Sequence, residues 1–259
     1  MAKENNYTNV VFAVKSKDYK KGLKDVQDTT KKSTSIMDKS VGGLKVGYLA
    51  VAAAIAGVIA AGKEFVNLAR EQEMSERKLD AAIKASANVS ASYAQEIKSF
   101  ASELQNASIV GDEVSISVAN VGISMGNLGE KSIKPFMQLV ADMSAATGKD
   151  AAGLSRTLAK AFADPAKAMT KLESQGLKLT AAQKGYVQSL VENGKVQEAQ
   201  LYLIKETNKG YAGQAQALAD GSGALTQYSN AAGDVKEQIG FLIIDAILPL
   251  VKQMTNLAV

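Results

Sequence analysis

Three carboxylates, Glu103, Asp112 and Glu113, stand near one another in the sequence. A pair of carboxylates is enough for glycoside hydrolysis, with no other catalytic side chain. Nothing in the sequence orders these three into a cleft, and each fits an ordinary helix surface. No catalytic residue is therefore assigned, and the chain is read as a non-enzyme. Composition closes most other chemistry. The 259 residues include no Cys and no His. Disulfides, thiolate zinc sites, cysteine nucleophiles, Ser-His-Asp triads and His-ligated metals are all excluded. The run Thr147–Gly153 contains Gly148 and Lys149, but it lacks the phosphate-loop spacing and has no strand before it. No metal and no cofactor is expected.

Charge is the next resource. Residues 1–45 hold ten Lys against five acids, and the rest of the chain is nearly balanced, for a net +4 overall. The basic character is thus a property of the N-terminal arm. Its candidates for contact with DNA phosphates or another acidic surface are Lys15, Lys17, Lys20, Lys21, Lys24, Lys31 and Lys32. Such contact would be sequence-blind and salt-sensitive. Tyr19 alone interleaves these lysines, so base stacking is weakly supported. A solvated charged face is the more ordinary reading.

The most apolar stretch follows. Val46–Gly62 carries no charge and lies between Lys45 and Lys63. Seventeen residues of helix span about 25 Å, the lower edge for crossing a bilayer. Seven of the seventeen are Ala, which is only weakly hydrophobic. A buried or self-associating helix is favoured over one that enters a membrane. Val46, Leu49, Val51, Ile55, Val58 and Ile59 are the candidates for either contact. Gly43 and Gly47, one four-residue step apart, would permit close helix approach.

Periodicity sets the elements around these segments. Thr8–Val14 is β-branched and aromatic and reads as a short strand. Residues 65–105 read as helical. Val114, Ile116 and Val118 alternate as in a strand. However, Asp112 can cap a helix, and Val114, Val118, Val121 and Met125 fit helical spacing, so helix is preferred. Gly126 and Gly129 mark a turn, and Pro135 suits the first turn of a helix bearing Phe136, Leu139, Val140 and Met143. Asp150, the pair Asp164-Pro165, and Thr180 with Gln183 each open a helix. Gly176 ends one helix, and Asn193-Gly194 is a turn before Val196, Ala199, Leu203 and Ile204. Pro249 is expected to interrupt the last apolar helix. The fold class is all-α: a multi-helix body with long apolar helices and a short N-terminal β-strand. The organisation is a strand and basic arm at 1–35, an Ala-rich apolar helix at 36–72, a helical body at 73–220, and a C-terminal apolar helix at 221–259.

One ordered series is more specific than any single motif. Ala146–Asp150 precedes Leu154–Leu158 and Ala161–Pro165. Leu172–Thr180, Gln183 and Gly194–Ala199 come next. Gly210–Gly213 leads to Gly233-Asp234, Gln238–Gly240 and Leu248–Leu250. With the strand, the Lys-rich arm and the Ala-rich helix before it, this series resembles the N-terminal conserved region of phage tail tape-measure proteins, over about residues 8–255.

The resemblance implies a structural protein in the lumen of the tail tube. It would set tail length during assembly and leave ahead of the DNA at ejection. It implies synthesis in the bacterial host cytoplasm and homo-oligomers. The implied partners are the tail tube protein, tail assembly chaperones and distal tail or baseplate proteins. It also implies transient host-membrane contact through the apolar segment, and DNA contact that is non-specific at most. The basic lysines would then face DNA or the tube lumen. Family members continue for many hundreds of residues as extended helix. The bare apolar end at Val259 accordingly reads as that of a truncated or short form. The two apolar segments also allow an alternative, a membrane-active helical pore-forming protein.

Overall fold

The computed structural model describes residues 62–173, 178–220 and 223–257. The described residues are helical, with no strand among them, in agreement with an all-α chain. The proposed strand Thr8–Val14 lies outside them, as do the basic arm, Val46–Ala61 and Gly176. In chain order the helices are α1 (Lys63–Ala85), α2 (Tyr93–Ala107), α3 (Asp112–Gly126), α4 (Glu130–Thr147) and α5 (Ala151–Phe162). After them come α6 (Pro165–Glu173), α7 (Ala181–Glu192), α8 (Val196–Asn208), α9 (Gln214–Ala219) and α10 (Ala224–Leu257).

Local chemistry explains most of the boundaries. Asp150 caps α5, its carboxylate accepting the Gly153 N–H at 2.7 Å. Asp164 does the same for α6 from the Lys167 N–H at 3.3 Å. Thr180 and Gln183 form a reciprocal capping box on α7, satisfying two backbone donors that the first turn leaves free. Asn127, in the left-handed conformation, closes α3, and Gly129 opens α4.

Four expectations need correction. The helical run at 65–105 is two helices. Ser86, Asn88, Ser90 and Ser92 fall together between them, and their side chains compete with the helix ladder, as when the Asn88 N–H bonds the Ser86 hydroxyl at 3.1 Å. Residues 112–126 are helical, but Gly111 is the capping residue and Asp112 sits in the first turn. Val114 is exposed, and the buried face of α3 is Ser115, Ile116, Val118, Ala119, Gly122 and Ile123. Pro135 lies in the second turn of α4, not the first. Pro249 does not end α10, which runs on to Leu257. A proline removes one ladder hydrogen bond, and each of these two helices continues on both sides of it.

The chain divides into two compact units. In residues 74–230, α4 is central, packed by α2, α3, α5, α8 and α9. Its Ile133, Phe136, Met137, Leu139 and Val140 are all buried. Phe136 meets Phe162 of α5 edge-to-face, with ring centroids 6.2 Å apart. α3 packs on α5 along its small residues. A Cβ on Gly122 would lie 2.9 Å from the Phe136 ring, and one on Gly126 would lie 3.4 Å from the Ala159 backbone. One continuous core, from Leu79 to Ala215, results.

The other unit comprises residues 1–73 and 231–259. Its described part is the start of α1 and most of α10. Val66, Ile239 and Ile243 form its core cluster, with Phe65, Val235, Ile244 and Ile247 packed around them. Gly240 lies against the Phe65 carbonyl so closely that any Cβ would collide with it. Glu64 and Lys236 pair at 2.5 Å.

Candidate functional site

The side chains singled out for contact do not fall among the described residues. This holds for Lys15, Lys17, Lys20, Lys21, Lys24, Lys31 and Lys32 and for Val46, Leu49, Val51, Ile55, Val58 and Ile59. The carboxylates considered for catalysis are placed. Glu103 is exposed on α2, while Asp112 and Glu113 stand in the first turn of α3. Acids there are favoured by the partial positive charge of a helix start. No group of three or more metal-binding side chains occurs among the described residues. Thr147 and Asp150, in the glycine–lysine run, are spent on helix ends. The Thr147 hydroxyl donates to the Met143 carbonyl at 2.6 Å, and Asp150 caps α5.

The polar groups that do converge hold helix junctions together. Gln200, fully buried on α8, donates from Nε2 to the Gly126 and Phe162 carbonyls, both at 3.0 Å. Those carbonyls belong to the last turns of α3 and α5, which have no partner within their own helices. One turn earlier, Gln197 accepts from the Gly129 N–H at 2.7 Å and donates to the Asn127 carbonyl at 2.9 Å. Asp142, buried in α4, accepts from the Ala215 N–H at 3.1 Å and so fixes the start of α9. The sequence reading missed all three. For two of them the signal was a polar residue set inside an apolar stripe: Gln200 between Ala199 and Leu203, and Asp142 between Val140 and Met143.

The link between α1 and α2 is tied to α4 by a partly exposed cluster. Glu130 accepts from the Ser90 N–H at 2.8 Å and from its hydroxyl at 2.7 Å. These bonds favour the charged carboxylate and hold its pKa below the usual Glu value. The Tyr93 hydroxyl donates to the Glu130 carbonyl at 2.9 Å. Burial raises the Tyr93 phenol pKa, against the opposing pull of Lys134. Lys134 pairs with Glu96 at 2.9 Å, which raises its own pKa, and its ammonium stands 5.5 Å from the centre of the Tyr93 ring. These bonds join the link between α1 and α2 to the start of α4, so the arrangement positions helices.

No described helix is long and apolar enough to cross a membrane. In α10, however, Leu242, Leu248 and Val251 are about two-fifths exposed, at 42%, 43% and 41%. These side chains give α10 an apolar flank among the described residues.

Comparison with known proteins agrees with a structural role. No curated protein and no solved structure matches the chain. The sequence profile of the family described as "Prophage tail length tape measure protein" matches residues 20–188. The match contains the motifs from Ala146 to Gln183 and stops before those that begin at Gly194. It covers well over half of the chain, which therefore belongs to this family of prophage tail length tape-measure proteins, structural components of the virion tail.

Proposed function

We propose that the chain acts in the tail tube lumen, takes part in fixing tail length during assembly, and leaves ahead of the genome at ejection. Family membership over residues 20–188 is the observation that carries this reading. Helix chemistry suits it. An α-helix satisfies its own backbone and adds about 1.5 Å per residue, so its length follows residue count. The 34-residue α10 would span about 50 Å in this way. Residues 74–230 instead fold back on themselves and add far less length than their number. In this reading they are a folded anchor, and straight helix supplies the ruler.

The partners proposed are other copies of the chain, the tail tube protein, tail assembly chaperones, and distal tail or baseplate proteins. Lys15, Lys17, Lys20, Lys21, Lys24, Lys31 and Lys32 would face the lumen wall or DNA without sequence preference. The segment Val46–Gly62 would make any transient host-membrane contact.

The test is to delete the gene from the prophage, induce it, and measure tail lengths by negative-stain electron microscopy. Loss of tails, or of their uniform length, is expected, with recovery on complementation. The chain should also be detected in purified tails. Tails of unchanged length that lack the chain would sink the proposal.

A further inference from the structure

Asn193 is the only asparagine followed by glycine in the 259 residues. That neighbour makes an asparagine most reactive, because glycine has no side chain to shield its own peptide nitrogen from the carboxamide. The reaction is intramolecular. The Gly194 backbone nitrogen loses its proton to solvent base and bonds to Cγ of Asn193. The Cγ–Nδ2 bond breaks, and that nitrogen leaves as ammonia. Water then opens the cyclic imide at either carbonyl, giving aspartate or isoaspartate. Asn193 and Gly194 are both exposed at the end of α7, so water and base reach them.

The fold nevertheless holds the reacting groups apart. Gly194, at φ +74°, closes α7 in the left-handed conformation. Its N–H donates to the Val191 carbonyl at 3.0 Å, and the Lys195 N–H donates to the Leu190 carbonyl at 2.8 Å. These are the two bonds of a Schellman motif. The nucleophilic nitrogen thus keeps its proton in a hydrogen bond. The Asn193 carboxamide is held as well, Nδ2 donating to the Ser189 carbonyl at 2.7 Å. Ring closure also requires the Gly194 nitrogen to swing towards Cβ of Asn193. At ψ 10° it nearly eclipses the Asn193 backbone nitrogen instead. We propose that Asn193 is a deamidation site gated by folding, inert while α7 keeps its cap and reactive once that turn unwinds. The product would not restore the turn. A carboxylate offers no donor to the Ser189 carbonyl and lies unfavourably at the negative end of α7. Isoaspartate also adds a backbone carbon to the turn. Gln197 and Gln200, which tie α8 to the ends of α3 and α5, follow directly on it. A turn that has opened and reacted therefore leaves this junction loose. The inference concerns the chemistry of the turn and does not rest on the chain's role in the tail.

The test compares the full chain folded and in guanidinium chloride, at the same mildly alkaline pH and temperature. Samples taken over time are digested with pepsin in acid, which halts the reaction. The peptide spanning Asn193 is then measured by mass spectrometry. Conversion to aspartate and isoaspartate should be at least about tenfold slower in the folded chain. Equal rates would overturn the proposal, as would no conversion in either state. A second measurement reads the product. Asn193→Asp should speed amide exchange of residues 187–197 at least about threefold, with residues 130–147 unchanged. Unaltered exchange at 187–197 would contradict the loosened turn.

Discussion

Residues 74–230 and the described part of the other unit are held by opposite devices. The first fills space. Phe136 and Phe162 meet at the centre of a core to which α2 through α9 all contribute. The second removes it. Gly240 lets α10 come down onto the Phe65 backbone, and a small cluster of Val66, Ile239 and Ile243 closes around the contact. Large buried side chains bring many dispersion contacts and much apolar area. A glycine crossing brings close approach but little burial. The difference teaches where stability resides: in the helical body, with the crossing as a weaker addition that a single methyl group can open.

The largest effect should come from emptying the filled core. Phe136→Ala is expected to cost about 3–5 kcal/mol and to lower the main thermal transition by about 10 °C, as read by circular dichroism. Ile239→Ala should leave that transition in place and speed amide exchange in residues 231–257. An equal shift from both variants would make the two regions one cooperative unit and break the comparison. Next in size is Gln200→Ala. It strands the terminal carbonyls of α3 and α5, with an expected loss of about 2–3 kcal/mol for the pair. Denaturant unfolding measures it, and an unchanged midpoint would mean that the carbonyls find other partners.

These contacts also mark how far the sequence could be read. Asp150, Asp164 and the Thr180–Gln183 box were legible because a cap is local: the side chain reaches an N–H two or three residues away. The buried stripe of Phe136, Leu139, Val140 and Met143 was legible from its period. The break at 86–92 was not, since it holds neither Gly nor Pro and depends on several weak side-chain competitors. Alternation at Val114, Ile116 and Val118 suits strand and helix alike, and the packing of α3 along Ala119, Gly122 and Gly126 decides it. Gln197 and Gln200 reach residues about seventy positions away, which no local pattern encodes. The family resemblance rested on spaced motifs, and those from Ala146 to Gln183 lie within the matched span.

Glycine substitutions test the other side of the comparison at smaller energies. Gly240→Ala forces a methyl group into the Phe65 carbonyl and should cost about 1–3 kcal/mol. The loss should be confined to residues 63–73 and 231–257. Gly185, inside α7, has open space where its Cβ would lie. Gly185→Ala should therefore stabilise the body by about 0.5–1 kcal/mol, through helix propensity alone. Opposite signs, seen as site-resolved exchange for the first and thermal unfolding for the second, would sharpen the distinction. Like signs would remove close approach as the reason for Gly240.

The smallest effect belongs to the partly exposed junction cluster, and it has a direction in pH. Two hydrogen bonds from Ser90 hold the Glu130 carboxyl below the usual range. A depressed folded-state pKa means that the contact stabilises above the unfolded value and is lost as pH falls through the folded one. Acidification should therefore release the link between α1 and α2. The Ser90 amide resonance should titrate with a midpoint below about 4.3, the ordinary Glu value. Glu130→Gln keeps an acceptor oxygen but cannot ionise, so that titration should vanish. A midpoint at or above the ordinary value would show that Ser90 does not favour the charged form. Because Glu130 is only partly buried, solvent screening keeps the effect local. The unfolding midpoint of the Leu79–Ala215 core should hardly move as Ser90 titrates. That separation would place the body's stability in its packed aromatic centre and leave the polar cluster to set the angle at which one helix follows another.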